Sequence, residues 1–341
     1  MSAPAETEPA TPMAKTVLCF GEALIDMRGK QADGEQVGGA LHFIPQPGGA
    51  PANVAVGVAR LGGHARFAGQ VGNDLFGQQI RDALTAYGVD VSLLCHTDQA
   101  VTALALVALD EQGERQFSFY RTATADLTYS DDQLPDAALA DRPIFHGCSN
   151  TLTEPGISVV TARLLARARA HGCLVSFDVN YRAPLWPAPE MAPRRILEVA
   201  RQADLVKFSQ EELTALYPGE EPAVVASLID AGVALVLVTD GANPLTAHTA
   251  GGSITHTPPS VRAVDTTAAG DAFVAGCLYR LAHHNITPAG LPGWLATGDH
   301  LPALLSFAGR CGAVAATRFG AFDALPDLSD VTGATVAGER G

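Results

Sequence analysis

The run Val264-Asp265-Thr266-Thr267-Ala268-Ala269-Gly270-Asp271-Ala272-Phe273 sets an acid directly behind three small residues, where a helical pattern begins. Unpaired N–H groups at a helix N-terminus point outward with partial positive charge, so a phosphoryl group gathering negative charge could rest there. Small side chains at 268–270 would let it approach the backbone. The carboxylate of Asp271 could then accept a proton beside that group. An acid at a helix start is equally an ordinary cap, and these residues alone do not separate the two readings. A second run, Pro47-Gly48-Gly49-Ala50-Pro51-Ala52-Asn53-Val54-Ala55, places a Gly-Gly pair ahead of a helix with an amide side chain on its first turn. Backbone amides and Asn53 could meet a polyhydroxyl ligand there, or the segment could be a plain loop and helix start. No GxxxxGK[ST] loop occurs, and no GxGxxG follows the first strand, which argues against a phosphate loop and a dinucleotide fingerprint.

Alternating apolar runs and helical periodicity must position these residues. Val17 to Leu24 reads as an opening strand, and residues 26–47 as an irregular antiparallel excursion. Ala52 to Leu61 reads as a closely packed helix, His64 to Val71 as a strand, and Asp74 to Tyr87 as a helix ending at Gly88. Val101–Leu109 and Arg115–Tyr120 form a predicted hairpin turning at Gln112-Gly113. Buried strands are expected at Pro143–His146, Leu174–Val179, Leu205–Ser209 and Ala234–Thr239. Helices are expected at 156–171, 192–202, 222–231, 270–284 and 301–316. This alternation predicts an α/β domain over residues 15–330, with a mainly parallel sheet covered on both faces. A smaller antiparallel flap would draw on 26–47 and 97–122, and residues 1–14 and 331–341 would be tails.

The 341 residues are 47% hydrophobic and 17% charged, enough apolar material for a sizeable core. The formal charge of −14, without a Lys/Arg run, argues against nucleic acid as a partner. No apolar run reaches the roughly 18 residues of a membrane helix, and Met1 to Ala14 lacks the basic and apolar regions of a secretory signal. A cytoplasmic protein is expected. The six cysteines, at 19, 95, 148, 173, 277 and 311, are dispersed without a CxxC pair and read as buried free thiols. The ten histidines lack metal-ligand spacing.

Taken together, the segments at 48–53 (Gly-Gly-x-x-x-Asn) and 265–271 (Asp-Thr-Thr-x-Ala-Gly-Asp), more than two hundred residues apart, resemble the signatures of the PfkB carbohydrate kinases of the ribokinase superfamily. The resemblance spans about Lys15 to Pro326. It implies a ribokinase-like three-layer α/β/α fold with a small antiparallel β lid, and ATP-dependent transfer of a phosphoryl group to a sugar hydroxyl. Asp271 would be the base, and the amides of Ala268, Ala269 and Gly270 an anion hole. Asp26, Gly48, Gly49 and Asn53 would hold the sugar. In the Ser209-Gln210-Glu211-Glu212 segment, Glu212 would organise Mg²⁺ through water, with Ser209, Thr239, Gly241 and Gly270 on the nucleotide side. Asp265, Thr267 and Gly320 lie where the family often holds a monovalent cation such as K⁺. A homodimer joined through the lid is also implied.

Further segments, Phe119-Tyr120-Arg121 and Asp178-Val179-Asn180-Tyr181-Arg182, are most like those of bacterial fructokinases and overlap with 2-keto-3-deoxygluconate kinases. They add Arg121, Asp178, Asn180 and Arg182 to the expected sugar side. Arg121 could instead cap the flap, and Arg182 could form a structural ion pair. Fructose is the expected substrate, ahead of 2-keto-3-deoxygluconate, ribose and adenosine. The chain departs from the family pattern at Ala268, for the first glycine of GAGD, at Pro244 in the nucleotide loop, and at Ser209, where Asn is common. Alanine resists φ > 0 and proline removes an N–H donor, which keeps open a sugar-sensing member with little turnover.

Overall fold

The computed structural model describes residues 14–30, 42–109 and 115–332. In chain order, β1 (Val17–Phe20) is followed by β2 (Leu24–Lys30), β3 (His42–Gly48), α1 (Ala50–Arg60), β4 (Ala65–Gly72), α2 (Leu75–Ala86), β5 (Asp90–Thr97), β6 (Leu104–Leu109) and β7 (Arg115–Tyr120). Then come β8 (Ile144–Cys148), α3 (Pro155–Ala170), β9 (Leu174–Asp178), α4 (Ala192–Ala200), β10 (Leu205–Ser209), α5 (Gln210–Leu216) and α6 (Glu221–Asp230). The chain closes with β11 (Leu235–Asp240), β12 (Asn243–Thr249), β13 (Gly252–His256), α7 (Ala269–His283), α8 (Leu291–Leu295), α9 (His300–Ala316) and α10 (Leu328–Thr332).

A strand that is apolar at every position needs cover on both faces, and β1 shows how that is met. Val17 and Cys19 enter one core, with α1, α2, α7 and α9, while Leu18 and Phe20 enter another, with α3, α4, α5 and α6. Nine strands form the intervening sheet in the order β13-β12-β11-β10-β9-β8-β1-β4-β5, parallel from β11 to β5. The result is the expected three-layer α/β/α domain. The β12–β13 hairpin adds an antiparallel edge that the expectation omitted.

The predicted strand from Val17 to Leu24 is two strands in two sheets. The chain turns at Gly21, whose φ of 148° is a left-handed value that favours glycine, and leaves the main sheet for the lid. The lid has the order β3-β2-β6-β7. Each hairpin is antiparallel, as expected, but the central β2–β6 pair is parallel. The reason is directional: β2 and β6 each follow a strand of the parallel main sheet and leave it in the same sense. The turn at Gln112-Gly113 and most of both expected tails lie outside the described residues. At the other end, α10 continues to Thr332 and buries Val331, past the expected domain end at 330.

Candidate active site

Two helices bring the distant segments together. α1 carries small side chains along its length and lies so close to α7 that a Cβ on Gly57 would stand 2.6 Å from the Cβ of Ala275. Both helices start at the same place, and there Asn53 Nδ2 donates to Asp271 Oδ2 at 2.7 Å. Both side chains are buried. Asn53 Oδ1, also buried, accepts no hydrogen bond among the described residues, so it is an acceptor that a ligand hydroxyl would satisfy. Burial pushes the carboxyl of Asp271 up to about 7, with the negative charge of Asp178 adding to it. The Asn53 hydrogen bond and the charges of Lys207 and Arg182 act in the opposite direction.

Alanine at the start of the anion-binding run needs no special backbone, since Ala268 has φ −104° and ψ 10°. The amide of Ala269, however, donates to Thr266 O at 3.2 Å. Of the three amides expected to form the anion hole at 268–270, this one already has a partner. Ala269 closes a turn, while Gly270 and Asp271 occupy helix positions with no intrahelical carbonyl four residues back.

On the lid side, Asp26 lies on β2 opposite Gln46 of β3. Its carboxylate oxygen would stand 2.5 Å from a Cβ on Gly48, so Gly48 gives it room. Burial, with nearby Asp265 and Glu22, pushes Asp26 up to about 7 against the lowering charge of Arg28. Gly49 precedes α1, and its neighbour Ala50 donates its N–H to the buried Glu22 at 3.3 Å.

On the opposite side, Ser209 caps α5. Its Oγ accepts from the N–H of Glu212 at 3.1 Å, and its own N–H donates to Glu212 Oε2 at 2.8 Å. This capping box fixes the Glu212 carboxylate. Among the described residues no three His, Cys, Asp or Glu side chains gather to enclose a metal. One anchored carboxylate fits Mg²⁺ held mainly through water. Thr239 lies next to the end of β11, where its Oγ1 donates to Phe208 O at 3.3 Å, and Gly241 makes the following turn with φ 56°. Pro244 falls at the β11–β12 irregularity between Val238 and Asp240, where its missing N–H breaks no regular ladder.

Asp265, Thr267 and Gly320 come together through hydrogen bonds onto the Asp265 carboxylate. Thr267 turns its N–H and Oγ1–H onto Asp265 Oδ1, at 2.9 and 2.5 Å, and Gly320 N–H donates to Oδ2 at 3.2 Å. Arg28, on lid strand β2, supplies the positive charge at 2.8 Å from the same Oδ2 and stacks over Phe319. Thr267 and Gly320 thus donate to the Asp265 carboxylate, and a monovalent cation at this loop would be held by oxygen acceptors, which include its backbone carbonyls.

Arg121 is corrected. Its Nε pairs with Asp126 at 2.6 Å and its Nη2 donates to Asn150 O at 2.9 Å, both side chains being buried. It pins the end of β7 beneath the lid and does not offer a free guanidinium to a sugar. Asn180 is buried with φ 37°, a conformation asparagine tolerates better than most residues. Arg182 is exposed and close enough for its charge to lower the pKa of Asp271. Asp178 ends β9 in an ion pair of 3.1 Å with Lys207 of β10. The sequence reading passed over Lys207, although it is a single charge inside the apolar run Leu-Val-Lys-Phe-Ser.

The comparisons with known proteins agree with this geometry. The model of the pfkB family carbohydrate kinases matches residues 14–328. A probable fructokinase-7 of Arabidopsis thaliana is 38% identical over 319 residues, covering 92% of this chain and 91% of the relative. Fructokinase from Xylella fastidiosa with bound ATP superposes with a TM-score of 0.88 at 42% identity, over 94% of this chain and 97% of that one. Fructokinase from Vibrio cholerae O395, in its fructose-, ADP- and calcium-bound form, gives a TM-score of 0.79 at 34% identity, over 93% and 98%. With both signature segments meeting at one buried carboxylate, the chain belongs to the pfkB family of carbohydrate kinases.

Proposed function

We propose that this ATP-dependent carbohydrate kinase acts on fructose, giving fructose 6-phosphate, with Asp271 as the general base. The observation that carries the reading is the Asn53–Asp271 hydrogen bond, which joins the sugar-side segment to the helix start suited to a phosphoryl group. The fructokinase names of its relatives and structural neighbours supply the substrate.

Asn53 Oδ1 and the Asp26 carboxylate accept sugar hydroxyls and orient the acceptor. Asp271 takes the hydroxyl proton as the oxygen attacks, and its raised pKa places it near the operating pH of a base. The amides at the start of α7 meet the negative charge that spreads over the transferring group, which is most of what phosphoryl transfer asks of a protein. Mg²⁺ would neutralise nucleotide phosphate charge, with Glu212 holding its waters. Thr239 and Gly241 line the nucleotide side. The loop of Asp265, Thr267 and Gly320 is the place proposed for a monovalent cation, and the potassium-bound form of a Vibrio cholerae O395 fructokinase variant supports this reading.

Exposed Ile44 and Tyr120 on β3 and β7, the two edges of the lid, support a homodimer formed through it. Six cysteines without a disulfide, together with the use of ATP, support a cytoplasmic enzyme. No helix among the described residues is long and apolar enough to cross a membrane.

Coupled ADP-release assays with fructose, 2-keto-3-deoxygluconate, ribose and adenosine test the assignment. Fructose should give the highest kcat/KM. A tenfold advantage for 2-keto-3-deoxygluconate would overturn the substrate, and absence of turnover on every sugar would favour a sensor. Asp271→Asn should lose most of kcat while still binding ATP.

A further inference from the structure

Lys207 is the one charged residue of β10, and it is 5% exposed. Taking an ammonium out of water is expensive unless opposite charge surrounds it. Here the supply exceeds what neutrality requires. Burial works against the ammonium, but Asp178, Glu212 and Asp271, from β9, α5 and α7, all favour it. Direct contact is made with Asp178 at 3.1 Å. The ammonium thus stands among the residue expected at the sugar, the residue expected at Mg²⁺ and the base.

Its position relative to α7 is equally informative. A Cβ on Gly270 would lie 3.5 Å from Lys207 Nζ, ordinary van der Waals contact. The ammonium therefore touches the first turn of α7, and the absent side chain of Gly270 leaves the space between Nζ and the backbone amides open. A fixed positive charge beside outward-pointing amides is an arrangement that stabilises spreading negative charge.

We propose that Lys207 is a catalytic residue whose ammonium contacts a non-bridging oxygen of the phosphoryl group during transfer. The inference rests on the reading that places this group at the start of α7. In the step, the sugar hydroxyl oxygen forms the new bond to the γ-phosphorus and its proton passes to Asp271. The bond from that phosphorus to the β,γ-bridging oxygen breaks, and its electron pair leaves with ADP. Lys207 forms and breaks no covalent bond. It adds a fixed cation where the charge is greatest, while Asp178 holds it in place.

The competing role is that Lys207 only neutralises Asp178, and a double-mutant cycle separates the two. Lys207→Met should lower kcat by about 100-fold or more, the scale of losing one transition-state donor. It should also reduce affinity for ATP relative to ADP while leaving fructose binding intact. If Lys207 acts on the phosphoryl group, Lys207→Met combined with Asp178→Asn should regain Tm yet remain far slower than Asp178→Asn alone. Equal kcat for the double variant and Asp178→Asn would overturn the proposal, as would unchanged kcat in Lys207→Met. Should Lys207→Met not fold, Gly270→Ala gives a second reading, because its methyl would stand against Nζ at a helix position where alanine is favourable. Reduced kcat with retained Tm is expected, and unchanged kcat would count against the role. Turnover by the parent protein and its loss in Asp271→Asn report on the kinase reading independently of either result.

Discussion

Asn53 and Asp271 are 218 positions apart in the chain, yet they share a buried hydrogen bond of 2.7 Å at the paired N-termini of α1 and α7. The amide lowers the pKa of a carboxyl that burial has raised to about 7. Removing it should therefore change the pH at which the base is ready. For the parent protein, kcat/KM should rise with pH through about 7 as Asp271 ionises, and Asp26, also near 7, titrates in the same window. In Asn53→Ala that limb should move to higher pH and the plateau should fall. A pH–rate profile with an unmoved limb would show that Asn53 does not tune the base.

The same burial predicts a stability effect of opposite sign. An aspartate in the unfolded chain has lost its proton by neutral pH, whereas folded Asp271 holds its proton up to about 7. Between those values the folded state binds more protons, so this group's contribution to stability declines as pH rises through the window. Asp271→Asn cannot ionise, and its amide oxygen can still accept from Asn53. Its Tm should exceed that of the parent by a few degrees at pH 8, and the gap should close near pH 4. A gap that stays constant with pH in thermal melts would refute this linkage.

Gly57 sets the spacing of the helix pair. Valine there would force α1 away from Ala275, since even one Cβ would come to 2.6 Å. Overpacking of this kind costs about 1–3 kcal/mol, readable as a lower urea midpoint. Because the separation is transmitted to Asn53 and Asp271, kcat should fall further than stability alone explains. Full activity in the folded fraction would mean that the helix spacing does not control the site.

Arg121 separates structure from substrate binding. Its ion pair with Asp126 is almost dry, with side-chain exposures of 3% and 2%. Arg121→Met leaves Asp126 buried without its partner, and a loss of roughly 3–5 kcal/mol is expected in urea unfolding. The KM for fructose in the surviving folded enzyme should change little. A large rise in KM with unchanged stability would return Arg121 to the sugar.

Local pattern made much of this protein legible. β10 lies where its apolar run predicts, and α1, α2, α3 and α7 fall within a few residues of their periodicity. The break at Gly21 was hidden because an uninterrupted apolar run does not reveal which sheet each half joins. β5 has polar and half-buried residues interspersed along it and gives only a weak strand signal. The β12–β13 hairpin was missed for a related reason, as much of it faces solvent.

The carboxylate, the small residues before it and the Gly-Gly-x-x-x-Asn segment were all readable in the sequence, because helix starts, small side chains and motif order are local properties. Which charges act together was decided by the tertiary structure. Asp271 is raised by burial and met by Asn53, Lys207 is drawn to Asp178, Arg28 occupies Asp265, and Arg121 is absorbed by Asp126. Electrostatic roles depend on separations of a few ångströms and on exclusion of water. Both arise only when elements distant in the chain pack against one another.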